Sequence, residues 1–380
     1  MHKAVVGDIA GKKHSKIKFV VYSLSIVIAV GILELITRIQ YSEAQFLYLP
    51  YYGLSENQQN LLIWQHQPGK NKVGTITTPY PFDIYDSKLG WKVKPNADVK
   101  HSKLGLWEVG VKTNSFGFRG NNPKERQKLS DVIRIGIMGA SQTFGESVHD
   151  DEVYVSLLDN KLHQAEVLNF GVRGYGTDQM LLYYESEAKN YNLNFTILAF
   201  AFHHMPRNAS SFTFYAKPYF ITNENSLNLL GSPVPTEFEL FDSDTPKLSM
   251  YFLNNSMILR LGLKYFRIIS SRQVYNEKNA VWNTTKAIIT RFSKTVKENN
   301  SQFILLNIEH KHENLEPALI KLANELDIDL INLGPTLRNA LNAGISVQIL
   351  NDNHWSAIGH QIVADALYVH LCRKQLILNC

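Results

Sequence analysis

From Asp131 onward the chain carries five short, mainly apolar runs: VIRIGIM (132–138), EVLNF (166–170), FTILAFAF (195–202), QFILLNI (302–308) and IDLINL (328–333). Runs of this kind, bounded by turn residues, read as strands buried on both faces. Helical patterns lie between them at 151–163, 178–190, 280–298 and 314–325, and another at 357–371 closes the chain. Strands alternating with helices predict a parallel sheet covered on both faces. In such a sheet, chemistry gathers at the carboxyl ends of the strands.

The N-terminus imposes a second constraint. Residues 1–18 hold Lys3, Lys12, Lys13, Lys16 and Lys18 against the single acid Asp8, and FVVYSLSIVIAVGILELI (19–36) follows. About twenty apolar residues suffice to cross a bilayer as a helix. Glu34 lies four residues before Arg38, so the two can pair and reach the interface. A transmembrane anchor over 19–38 is expected, with residues 1–18 cytoplasmic and the rest periplasmic or extracellular by the charge-bias rule. A cleaved signal peptide is the alternative, although RIQYSEAQF is a poor cleavage context.

Residues 39–130 read as a β-rich extension. YLPYYGL, TTPYPFDIYD and KPNAD are turn-rich, whereas LGWKVKPNADVKHS and LWEVGVKTNSFGFRG alternate as short strands do. The main domain then spans 131–380, interrupted by an insertion at 203–279 that includes the amphipathic MILRLGLKYFRII. An insertion just past the end of a strand is either a lid over a substrate or a packing embellishment.

Composition removes several classes. A net charge of +5 on 380 residues, without a dense Lys/Arg stripe, does not suggest nucleic acid. Only Cys372 and Cys380 are present, which excludes a disulfide scaffold and a Cys-rich zinc site. Those two either bridge, in an oxidising compartment, or leave Cys372 buried at a helix end.

Three loops hold residues suited to chemistry. The first strand runs into Gly139-Ala140-Ser141-Gln142. A serine on a strand-to-helix turn exposes its hydroxyl, and its backbone N–H can meet the oxyanion that its own attack creates. The alternative is a helix N-cap, a position serine favours. The second strand runs into Gly171-Val172-Arg173-Gly174-Tyr175-Gly176, where an N–H at Gly174 is a candidate second donor. The alternative is an ordinary βα loop capped by Thr177 or Asp178. Before the last helix stands Asp352-Asn353-His354-Trp355. A nucleophilic serine needs a base, and that base needs an orienting carboxylate.

In this order the pattern resembles the SGNH (GDSL-type) hydrolase superfamily over about residues 131–372. GIMGASQTFGESV resembles the block that holds the nucleophile, NFGVRGYGTDQ the block with the oxyanion glycine, and DNHWSAIGH the block with acid and base. KLGWKVKPNADVK and TNSFGFRG resemble, more loosely, the region upstream of that domain in membrane-anchored bacterial members. The resemblance implies an α/β fold of three layers, α/β/α, with a flavodoxin-like parallel five-stranded sheet. It implies Ser141 as nucleophile, His354 as base, Asp352 as acid, and an oxyanion hole from Ser141, Gly174 and His203. No metal or organic cofactor is implied.

The chain departs from the family pattern in three places. Gly-Ala-Ser replaces Gly-Asp-Ser. His203 stands where the third block has an asparagine, in FAFHHMPRN (200–208), and an imidazole N–H can partly replace the amide. Asp-x-His replaces Asp-x-x-His, as in some exopolysaccharide O-acetyltransferases, which however place the pair ahead of the serine. The implied function is a serine-dependent ester hydrolase acting outside the cytoplasm on an ester-bearing small molecule, lipid or envelope glycan. The alternatives are an O-acyltransferase served by a membrane acyl-donor partner, and a non-catalytic descendant that binds glycan.

Overall fold

The computed structural model describes residues 2–40, 82–103, 105–120, 132–211, 213, 215–223, 226–234, 256, 258 and 277–377. It divides into two compact units, residues 1–62 with 244–269, and residues 63–243 with 270–380.

In the smaller unit, helix α1 runs His2–Gln40. Its segment Val20–Ile39 is long and apolar enough to cross a membrane, and nearly all of it is exposed. The expected ion pair is present, with Arg38 Nε donating to Glu34 Oε1 at 2.9 Å. The amide of Ile258 donates to the other Glu34 oxygen at 3.1 Å.

The larger unit begins with two antiparallel hairpins, β1 (Asp83–Asp86) with β2 (Gly90–Val93), and β3 (Asp98–Lys103) with β4 (Trp107–Lys112). Then come β5 (Ile133–Gly139), α2 (Ser141–Phe144), α3 (Tyr154–Lys161), β6 (Ala165–Gly171), α4 (Thr177–Ser186), β7 (Phe195–Phe200) and α5 (Met205–Asn208). A hairpin of β8 (Tyr219–Asn223) and β9 (Ser226–Leu230) follows. The chain continues through α6 (Ala280–Glu298), β10 (Gln302–Asn307), α7 (Glu316–Glu325), β11 (Asp329–Asn332), α8 (Gly334–Asn342) and α9 (Ala357–Arg373).

Five strands form one parallel sheet in the order β11-β10-β7-β5-β6. This is the flavodoxin-like order, and its switch point lies between β5 and β7. Successive residues point to opposite faces. Met138, Leu198, Phe200 and Leu305 therefore join one core with α4, α6, α7 and the first hairpins, whereas Ile137, Ile197, Ile304 and Leu306 join another with α3, α8 and α9. The expected three-layer fold is the observed one.

Of the insertion at 203–279, the described part comprises a short 3-10 turn, α5 and the β8–β9 hairpin. MILRLGLKYFRII lies, apart from Ile258, outside the described residues. One residue of the insertion is anchored deep in the core. Lys217 and Asp178 form an ion pair in which both side chains are fully buried. The ammonium also donates to the carbonyls of Arg207 and Ser210, each at 3.0 Å, and of Pro218 at 2.8 Å. Burial pushes the Asp178 carboxyl up despite the neighbouring ammonium. Lys217→Met is expected to strand that carboxyl and cost about 3–5 kcal/mol. Urea unfolding of the detergent-solubilised protein, followed by tryptophan fluorescence, measures this. At the C-terminus Cys372 is disulfide-bonded, and Cys380 lies outside the described residues.

Candidate active site

The end of β5 sets the geometry. Gly139 leads into α2, whose N-cap is Ala140 with φ −103° and ψ −144°. Ser141 is therefore the first helical residue and not the cap. Its hydroxyl turns away from the helix and meets His354 Nε2 at 3.0 Å. The turn is tight: a Cβ at Gly171, where β6 ends, would overlap the amide of Phe144. Only glycine allows β6 to pass so close to the turn.

Asp352 and His354 sit on the loop between α8 and α9. Asp352 Oδ1 lies 2.9 Å from His354 Nδ1. Two loops distant in sequence thus bring hydroxyl, imidazole and carboxylate into one hydrogen-bonded row. Gln142 fixes the loop opposite the serine: its Nε2 donates to the Asn353 carbonyl at 3.0 Å, and its Oε1 accepts from the Trp355 amide at 3.1 Å. The amide of Ile349 and the carbonyl of His354 close the loop at 3.0 Å.

The carboxylate also accepts from the His354 amide at 3.3 Å and has two partners on the β3–β4 hairpin. Trp107 Nε1 donates to Asp352 Oδ2 at 2.7 Å, and Lys103 Nζ lies 3.3 Å from Oδ1. Burial raises the Asp352 carboxyl, but His354, Trp107 and Lys103 outweigh it and hold the group well below the usual carboxylate range. The same hairpin holds the segment after the Ser141 turn. His101 Nε2 lies 3.0 Å from Glu146 Oε1, and the Trp107 ring meets the His101 ring edge-on at 4.8 Å. Arg173, next to Gly174, pairs with the other Glu146 oxygen. Burial raises Glu146, yet Arg173 and His101 hold it far below its ordinary value. Arg119, from SFGFRG, donates to the carbonyls of Phe144, Gly145 and Val148 beyond α2.

Gly174 adopts φ +74°, a left-handed conformation that glycine takes without strain. It is absent from the lining of the cleft that holds Ser141 and His354. That cleft, of about 360 Å³, is lined by Lys103, Gln142, His203, Arg207 and the run Ile308–His312, together with the Gln348 and 352–355 segments. His203 lies on its wall, just past β7 on the other side of the switch point. Its Nδ1 is 3.0 Å from Glu309 Oε2. The Glu309 carboxylate also accepts from the amides of His310 and Lys311, each at 3.1 Å. Burial raises Glu309, but His203, the Lys311 amide and His312 bring it down to about 2. An ionised carboxylate only accepts, so the His203 proton sits on Nδ1. Nε2 is then a lone pair, and His203 donates to an oxyanion only as the imidazolium. His204 is buried, with Nδ1 accepting from the Ala201 amide at 3.2 Å.

The loop past β6 is capped by Gly176, and not by Thr177 or Asp178. Sequence reasoning missed Glu309, Gln142, Lys103 and Trp107. Glu309 carried a usable signal, since it stands directly beyond the apolar run of β10, as Ser141 stands beyond that of β5.

Behind the His354 loop, His360 is fully buried between Tyr154 and Trp355. Its Nδ1 accepts from the Tyr154 amide at 3.2 Å. Burial lowers its pKa from 6.5 to about 3, with Arg119 and His354 adding to the effect. The folded state therefore resists protonation that the unfolded chain accepts. The stability contributed by neutral His360 is present above pH 6.5 and lost as pH falls from there towards 3. His360→Asn is expected to flatten that limb by up to one proton, about 1.4 kcal/mol per pH unit, measured by urea unfolding at stepped pH.

No protein-family model matches the chain. A curated relative, dihydrolipoyl dehydrogenase from Buchnera aphidicola, is 26% identical over 144 residues, which are 37% of this chain and 29% of that protein. The match spans less than a third of that relative's length. Similar solved structures include a lipase/acylhydrolase from Enterococcus faecalis, 11% identical over 64% of this chain and 97% of that one, with a TM-score of 0.39. A GDSL-like lipase from Bacteroides thetaiotaomicron is 12% identical over 65% and 92%, with a TM-score of 0.38. A catalytic mutant of an acetylxylan esterase from Geobacillus stearothermophilus is 13% identical over 63% and 94%, also with a TM-score of 0.38.

Proposed function

We propose that the chain is a serine-dependent ester hydrolase of the SGNH (GDSL-type) superfamily. The observation that carries this reading is the row Ser141–His354–Asp352 at the carboxyl edge of the sheet, with links of 3.0 and 2.9 Å. Ser141 Oγ attacks the ester carbonyl while His354 Nε2 takes its proton. His354 then returns the proton to the leaving alcohol, and water resolves the acyl-enzyme by the reverse route. Asp352 keeps the imidazole in the tautomer that accepts at Nε2 and stabilises the imidazolium that forms. The backbone amides of Ser141 and Gly174 are the oxyanion donors in this reading, joined by His203 when it is protonated.

The enzyme is proposed to act outside the cytoplasm, tethered by residues 19–38. The lysines ahead of the apolar segment support that orientation, and so does a disulfide at Cys372. A fluorophosphonate probe is expected to label the wild-type protein at Ser141 and to leave Ser141→Ala unlabelled. A folded wild-type protein that resists the probe would favour the glycan-binding, non-catalytic reading.

A further inference from the structure

The Ser141 reading gives His203 a part only as the imidazolium and gives Glu309 none. Glu309 and His203 form a second acid–histidine pair on the same cleft as Asp352 and His354. It is built with some care. Glu309 is nearly buried, and its two oxygens are satisfied by the His203 ring and two backbone amides. His203 remains partly open to the cleft, and among the described residues its only hydrogen bond is the one to Glu309. Desolvation lowers its pKa despite the carboxylate beside it, with Arg207 and His354 contributing. The uncharged ring therefore offers the cleft a hydrogen-bond acceptor at Nε2.

The lining of the cleft narrows what that acceptor would meet. Among the described residues only Ile308 and Trp355 are apolar there, and they are 4% and 1% exposed. Such walls suit a short acyl group and a polar alcohol better than a long hydrocarbon chain. The donors Lys311 and Arg207 stand on the same lining.

We propose that the Glu309–His203 pair is a hydroxyl-recognition subsite, in which His203 Nε2 accepts a hydrogen bond from a free hydroxyl neighbouring the acylated oxygen, so that the substrates are short-chain esters of carbohydrates. The subsite rests on Ser141 being the nucleophile. Bond making and breaking stay with Ser141 and His354, and His203 holds the alcohol portion in register. The same contact holds a sugar acceptor if the acyl-enzyme is resolved by a sugar hydroxyl. In that case the acyl C–Oγ bond breaks, an acyl C–O bond to the sugar forms, and the sugar proton passes through His354 to Ser141.

The test compares two acetyl esters on the full chain in detergent. One is a methyl glycoside acetylated at a single position with a free neighbouring hydroxyl. The other is the same compound with that neighbour O-methylated. Wild type is expected to prefer the free hydroxyl by about tenfold in kcat/KM, the scale of one hydrogen bond with its partner left unpaired. His203→Phe should bring that ratio to about one. Glu309→Gln should lower it as well, because a glutamine amide can donate to Nδ1 and so place the proton on Nε2. His203→Gln, which keeps a carbonyl acceptor, should restore part of it. A wild type that cleaves p-nitrophenyl acetate yet treats both glycosides alike overturns the subsite alone. Equal losses on both glycosides in His203→Phe, with the ratio kept, also overturn it and make His203 an oxyanion donor. A wild type inert towards p-nitrophenyl acetate and towards the probe overturns the Ser141 reading together with the subsite.

Discussion

Ser141→Ala is expected to cut turnover of p-nitrophenyl acetate by about 10⁴-fold or more, with little loss of stability. The size follows from what the hydroxyl does. Without Oγ no acyl-enzyme forms, and the His354 imidazole has only water to activate, with none of the advantage of a held nucleophile. The remaining rate is what binding and the oxyanion donors supply. Stability should change little because alanine suits a first helical position. Ala140 remains the N-cap, and the hydrogen bonds that pin the His354 loop come from Gln142. Mass spectrometry of the quenched reaction should show an acetyl adduct on wild type and none on the variant. Turnover within tenfold of wild type would remove Ser141 from the mechanism.

The sheet was legible in the sequence because parallel strands are buried on both faces. Their runs are mainly apolar, and the five observed strands fall within about two residues of them. Helix α8 was missed, although Pro335 at its start is the kind of residue that opens a helix. Ser141 could be singled out because it stands at the turn just beyond β5, and Asp352 and His354 because they form a polar acid–histidine pair on the loop ahead of α9. The partners of Asp352 were not found, for a different reason. Trp107 and Asp352 are 245 positions apart, and no local period records such a contact. The hairpin that carries Trp107 and Lys103 alternates as any half-buried strand does. Its pattern shows which face is inward and not what that face touches. The His203 role was read from its place in the family pattern and from the residue type. The tautomer that decides between donor and acceptor depends on Glu309, which comes 106 positions later.

Asp352→Asn is expected to lower kcat/KM at neutral pH by about 10⁴-fold, although it changes a single oxygen into an amide nitrogen. The reason lies in the count of donors around the carboxylate. Oδ2 accepts from Trp107 Nε1, which only donates. Oδ1 faces His354 Nδ1, the His354 amide at 3.3 Å and the Lys103 ammonium at 3.3 Å. An asparagine can keep its carbonyl towards one side only. Turned to Trp107, it presents its NH₂ to His354 and forces the imidazole into the tautomer with the proton on Nε2, which then cannot accept from Ser141. Turned to His354, it sets NH₂ against the indole N–H, donor against donor. Either way Lys103 loses its counter-charge. Trp107→Phe removes one donor and leaves the carboxylate, so its expected loss is only about three- to tenfold. The contrast separates charge from positioning: an Asn variant within tenfold of wild type on p-nitrophenyl acetate would show that the imidazole is oriented by something other than Asp352.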